Sequence, residues 1–223
     1  MKSLSQILNE GLHNRETHDE TQERKTLHGN LVNHYQFSDK KDLHNIKNYT
    51  VGDTQSNYLW NKHAGTEKRH AGTDKQINSL NNTLKVHTTP HDMTVYSNSK
   101  MDPREKKNAE GVVHHPAFLS TTIEKGFAKD WENTTKRERQ PNGVIPRDKH
   151  VLAIHVPKGS HGAYVDHLSE LPGQSEFILP KAANLKYHST ESHVNPEHKE
   201  LWNGDKIEDH THYHHMTLLG HNE

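Results

Sequence analysis

The feature that most constrains this chain is where its apolar residues sit. Leu, Ile, Val and Phe make up only 41 of 223 residues, and 19 of those fall within the 77 residues from Glu110 to Lys186. A core has to be built there, and the local runs show from what. Val151-Leu152-Ala153-Ile154-His155-Val156 is rich in β-branched residues and is bounded by Lys149-His150 and Pro157-Lys158-Gly159, the pattern of a buried strand. Glu176-Phe177-Ile178-Leu179 is a second such run, stopped by Pro180 because proline has no N–H for a ladder. Met93-Thr94-Val95-Tyr96 reads as a shorter third strand. The run Thr211 to Leu218 reads as the last, with Thr, Tyr and Leu suited to a pleated surface.

Helical spacing appears mainly before these strands. Ile77, Leu80 and Leu84 fall on one face of a helix over residues 75–84, and shorter helical pieces are expected at Leu43 to Tyr49 and Tyr58 to Trp60. Thr121-Thr122-Ile123-Glu124 fits a capping box with Thr121 as the cap, after which Ile123, Phe127 and Trp131 recur every fourth residue. Helices lead and strands follow, which predicts an α+β class rather than alternating βαβ units. Residues 11–40 are mostly polar and are expected to be a mobile segment ahead of one domain over 41–219.

Charge and composition remove several functions. Lys plus Arg number 28 and Asp plus Glu 29, so the chain lacks the basic excess that holds phosphate backbones, and no specific nucleic-acid partner is expected. There is no Cys, which excludes thiolate chemistry. No apolar run approaches the roughly 20 residues that span a bilayer, and no membrane partner is expected. His is abundant at 23 residues, and His210, His212 and His214 alternate so as to share one strand face. Three imidazoles on one face could hold zinc or nickel, as in a metal-binding structural protein, but a flat row does not converge on one ion. It is read as a solvated strand face, and no metal site is assigned.

The first ten residues form a short amphipathic segment ending Leu8-Asn9-Glu10 before Gly11. This junction resembles the sites cut by prohead proteases of large tailed phages, after Glu and before a small residue. The resemblance implies a capsid-targeting leader over 1–10, removed between Glu10 and Gly11 by a phage prohead protease. It also implies a protein located in the phage head interior and then, after injection, in the host cytoplasm.

From about Asn45 to His215 the order of segments resembles a mono-ADP-ribosyltransferase of the arginine–serine–glutamate toxin class. The residues that carry it are Pro116-Ala117-Phe118-Leu119-Ser120-Thr121-Thr122, then Val151 to Gly159 with Gly162-Ala163-Tyr164-Val165, then Gln174-Ser175-Glu176-Phe177-Ile178-Leu179-Pro180. The resemblance implies a two-sheet β core after the helices, NAD as the cofactor and a host protein as the ADP-ribose acceptor. Glu176 would be catalytic against the oxocarbenium-like charge of the breaking nicotinamide–ribose bond. Ser120 would orient Glu176, and Thr121 would help to place the cofactor. Gln174 would share the side of Glu176 if the segment is extended, and would face the acceptor.

One segment departs from the family. Its first strand ends Tyr-Arg-Gly, whereas this chain reads Val95-Tyr96-Ser97-Asn98. Tyr96 and Ser97 therefore hold the cofactor-binding position without the charge of a guanidinium. Arg104, or Lys136, Arg137 and Arg139, would have to supply it. The alternative reading is an internal head protein that keeps the fold without the activity.

Overall fold

The computed structural model describes residues 18–52, 54–66, 68, 70–100, 102–130, 134–136, 138–141, 143–170, 172–195, 199–200 and 206–221. The expected leader, with Glu10 and Gly11, lies outside the described residues, as do Trp131 and Arg137.

Among the described residues four helices come first, α1 (His18–His34), α2 (Lys40–Val51), α3 (Thr54–His63) and α4 (Ala71–Lys85). Asp39 caps α2 by accepting the Lys41 amide at 2.7 Å, which satisfies one of the unpaired donors of the first turn. Ile77, Leu80 and Leu84 of α4 are buried, as their spacing predicted. Within the segment expected to be mobile, the described residues His18–His34 form α1, where Leu31 is fully buried, as is Tyr35 just beyond it, with Leu27 and Val32 packed beside them. Few apolar residues serve because they recur about once per turn on a single stripe.

The strands are β1 (Met93–Ser99), β2 (Val112–His115), β3 (Leu119–Thr122), β4 (Thr134–Lys136), β5 (Val144–Val156), β6 (Ala163–Tyr164), β7 (Glu176–Leu179), β8 (Ala183–Val194), β9 (Lys199–Glu200) and β10 (Lys206–His221), with α5 (Lys125–Asp130) after β3. The class is α+β as expected. Their order is β2-β8-β10-β5-β1-β3-β7-β6, antiparallel except for the long parallel pair β5–β10. In place of two separate sheets, the strands form one ladder with a narrow joint. β1 pairs with β5 along seven residues and with β3 through Tyr96 and Thr122.

Two local readings change. Thr121 is a buried residue of β3, and the helix begins at Lys125, so Thr121 is not its cap. The neighbouring Thr122 does comparable work, its hydroxyl accepting the Glu124 amide at 3.0 Å. His212 and His214 are 9% and 0% exposed, so the row on β10 is not a solvated face.

Candidate active site

The β3–β7 pair sets the site. Its register places Ser120 opposite Ile178, Thr121 opposite Phe177 and Thr122 opposite Glu176. Paired residues share a face and successive residues alternate, so Ser120, Thr122 and Glu176 project to one side. Tyr96 pairs with Thr122, which extends the row to Tyr96–Thr122–Glu176 across three strands. Glu176 opens β7 and is only 8% exposed, so its charge acts in a poorly screened setting.

The other predicted residues distribute as follows. Ser97 is buried in β1 and donates its hydroxyl to the Ser120 carbonyl at 2.9 Å, which ties the first strand to the third. The Ser120 hydroxyl lies 2.9 Å from the Tyr49 hydroxyl of α2, and Tyr49 lies 3.3 Å from Ser56 of α3. Thr121 does not join this group. It faces the other side and donates to the Phe177 carbonyl at 2.6 Å, so the cofactor-placing role expected of it is withdrawn.

The turn before Glu176 is fixed from β3 and its exit. Thr122 donates to the Gln174 carbonyl at 2.8 Å, the Ile123 amide donates to the Ser175 carbonyl at 3.1 Å, and Ser175 donates its hydroxyl to the Glu124 carboxylate. Gly173 donates to the Asp166 carboxylate at 3.1 Å on the far side of the turn. Ser175 has φ of 51°, a left-handed conformation that a serine holds only when its surroundings impose it. Gln174 and Glu176 therefore do not flank an extended residue, and the same-side reading fails at this point. Gln174 is half-exposed at the rim, whereas Glu176 is buried.

Arg104 does not take the vacated place of the family's arginine. Its guanidinium forks onto Asp102, with Nε 2.9 and 2.8 Å from the two carboxylate oxygens. That carboxyl, although partly buried, is held at about 2 chiefly by these bonds, and it lies beside His214 and His150. Those histidines are on β10 and β5, across β1 from β3 and β7. Of the basic loop, Arg139 is exposed, and nothing is described of the Lys136 side chain.

Two residues of the site were not singled out for it by sequence reasoning. Glu124 was read only as part of a cap, yet it grips the turn that presents Glu176. Lys125 opens α5, its ammonium 4.4 Å from the Tyr213 ring centroid, and Tyr213 packs with Val151, Ala128 and Tyr96. Lys125 is thereby a cation on the side of the sheet that carries Tyr96, Thr122 and Glu176. The signal for both was their position just beyond Thr122, where a strand exit meets a helix start.

Residues 17–207 match the sequence model of the ADP-ribosyltransferase exoenzyme family. A curated relative, the NAD(+)–arginine ADP-ribosyltransferase EFV of Enterococcus faecalis, is 37% identical over 70 residues. The match covers 31% of this chain but only 12% of that protein's length. Among solved structures, the ADP-ribosyltransferase Vis in complex with agmatine superposes with a TM-score of 0.58 at 15% identity, covering 92% of this chain and 87% of that one. C3stau2 from S. aureus with NAD gives 0.54 at 18% identity, covering 86% and 95%. At these identities the structural likeness is one of fold.

Proposed function

The chain belongs to the ADP-ribosyltransferase exoenzyme family, a mono-ADP-ribosyltransferase toxin class that uses NAD, and we propose that Glu176 is the carboxylate on which its transfer reaction turns. The observation that carries this reading is the buried Glu176 at the head of β7, in register with Thr122 and held by a turn anchored to Glu124. Breaking the nicotinamide–ribose bond sends the electron pair out with nicotinamide and leaves positive charge on the ribose. The acceptor nucleophile then bonds to the same carbon and releases one proton. A fixed, poorly solvated carboxylate stabilises that charge more in the transition state than in the ground state. Ser120, held by Tyr49, lines the same side of β3.

The residues present fit NAD with one substitution of parts. Ser97 is uncharged and committed to Ser120, so it does not grip a phosphate. Lys125 supplies the positive charge on this side of the sheet, and Tyr96 forms its apolar floor. The acceptor is a host protein. Arginine is the acceptor named for the E. faecalis relative, while Gln174 stands at the half-exposed rim of this chain's site. Mass spectrometry of modified peptides identifies the side chain used.

The deciding experiment incubates full-length protein with labelled NAD and host lysate. Wild type transfers label, and Glu176→Gln loses about 10²–10³-fold or more of kcat at an unchanged melting temperature. A wild type that neither transfers nor hydrolyses NAD overturns the enzyme in favour of a fold-retaining internal head protein, the reading Ser97 favours.

The location follows from the leader. Leu8-Asn9-Glu10-Gly11 supports removal of residues 1–10 by a prohead protease, packaging in a phage head and injection into the host. Protein recovered from virions then begins at Gly11. Recovery with Met1 intact contradicts the proposal.

A further inference from the structure

We propose that Asp102, His150 and His214 form a binding site for a divalent transition-metal ion of the zinc type, outside the Glu176 site. Three separate segments converge on it: the loop after β1, the middle of β5 and the middle of β10. One ligand atom from each lies within 4.8 Å of the other two. The parallel β5–β10 register sets His150 opposite His212 and places His214 one pleat further along the same face. This convergence is what a row on a single strand cannot supply.

The distances suit a metal. His150 Nδ1 and His214 Nε2 are 3.0 Å apart, close to the roughly 3.3 Å between neighbouring ligands of a tetrahedral ion with bonds near 2.0 Å. In the hydrogen-bonded pair one of these two nitrogens carries the proton between them; a cation takes that place, and the ring that held the proton shifts it to its other nitrogen, so that both imidazoles ligate in the neutral form. Two imidazoles and one carboxylate form a donor set preferred by zinc and its neighbours over magnesium or calcium, and they leave a coordination position open. His150 is 7% and His214 0% exposed, so the ligands are already withdrawn from water and held by packing.

The surroundings orient each ligand. His214 Nδ1 is 2.8 Å from the Thr190 hydroxyl, itself 2.8 Å from the Tyr187 hydroxyl, which turns Nε2 toward His150. Arg104 holds Asp102 in its ionised form, donating from its amide and Nε to Oδ1 and from Nε and Nη2 to Oδ2; a bound cation takes the place of one of these donors. His212 stacks on His150 at 5.1 Å but is committed elsewhere, with Nε2 2.9 Å from Asp148 and Nδ1 2.8 Å from Ser192. It buttresses the site without ligating.

The test uses full-length protein stripped with a chelator, then dialysed against zinc at neutral pH, with metal per chain measured by atomic emission. Wild type is expected to hold one zinc per chain. His150→Ala and His214→Asn each lower affinity by at least about tenfold, and exposed His215→Ala leaves it unchanged. Because His214 is fully buried, Asp102→Asn serves as the loop variant, with folding checked by circular dichroism. A folded Asp102→Asn protein must also bind at least about tenfold more weakly. Absence of zinc in wild type, or binding unchanged in Asp102→Asn and His150→Ala, overturns the proposal. The readout is metal content, so its outcome is independent of whether the chain transfers ADP-ribose.

Discussion

Ser175 donates its hydroxyl to the carboxylate of Glu124, and so a helix-start residue 51 positions earlier in sequence holds the strained turn before Glu176. A left-handed serine next to a catalytic candidate is costly to maintain, at about 1–3 kcal/mol. The bonds from Glu124, Ile123 and Thr122 offset that cost and fix where the carboxylate of Glu176 points. The turn is thus prepared before any substrate arrives.

Glu124 is therefore a positioning residue. Glu124→Ala is expected to lower kcat by about 10–100-fold with little change in KM for NAD, because a loosened turn misplaces the carboxylate without removing a binding contact. Glu124→Gln keeps an acceptor oxygen for Ser175 and recovers part of the loss. Steady-state kinetics of both variants measure this, and an unchanged kcat in Glu124→Ala contradicts it.

Lys125 carries the opposite signature. If its ammonium receives the cofactor's phosphates, Lys125→Ala raises KM for NAD by about tenfold or more, the worth of one hydrogen bond to a charged group. Lys125→Arg retains the charge and most of the affinity. A titration of NAD against each variant decides the point, and an Ala variant that binds like wild type returns the phosphate contact to another residue.

What the sequence made legible, and what it did not, divides along physical lines. Val151 to Val156 and Glu176 to Leu179 were readable because, apart from His155 and Glu176, the residues are apolar and buried on both faces. The first half of β5 contains Pro146, Arg147, Asp148 and Lys149, which read as loop. They belong to a strand because Arg147 and Lys149 pair with Asp209 at 2.6 and 3.0 Å and Asp148 pairs with His212. β8 escaped for another reason: from Lys186 onward it is polar and largely solvent-facing, with no alternation to detect. Within the site, Glu176 and Ser120 were visible through local motif. The Tyr49–Ser120 and Glu124–Ser175 contacts were not, since each joins residues at least 51 positions apart.

Gly162 is expected to be the least replaceable glycine near the site. Its φ is 150°, and a Cβ built there would meet the Phe177 ring at 2.7 and 2.8 Å and the Ile178 carbonyl at 3.0 Å. Phe177 is fully buried and follows Glu176 directly, so the ring has little room to yield. Gly162→Ala should cost about 2–4 kcal/mol of stability from overpacking and backbone strain together. Denaturant unfolding measures it, and a loss below about 0.5 kcal/mol would show that β6 and β7 separate easily.

Stability should also fall on mild acidification, because of histidines unconnected with the proposed metal site. Burial lowers the His115 imidazole to about 4, against a smaller opposing bond to the Ala117 carbonyl. Burial likewise lowers His221 to about 4, with the charge of His161 adding to the effect. In the unfolded chain both return to their ordinary value of 6.5. Between those values the unfolded state binds protons that the folded state refuses, so stability is greatest above 6.5 and declines as pH drops toward 4. Below that, Asp209 takes over. Burial alone would raise its pKa, but hydrogen bonds from Arg147 and Lys149 hold it at about 2, and that contribution disappears as pH falls through this value. Melting temperatures are therefore expected to decline steadily from about pH 6.5 to about pH 4. His115→Asn keeps a donor for the Ala117 carbonyl but cannot be protonated, so its melting temperature should depend less on pH across that window. A wild-type melting temperature that is flat over this range contradicts the burial of these two rings in the folded state.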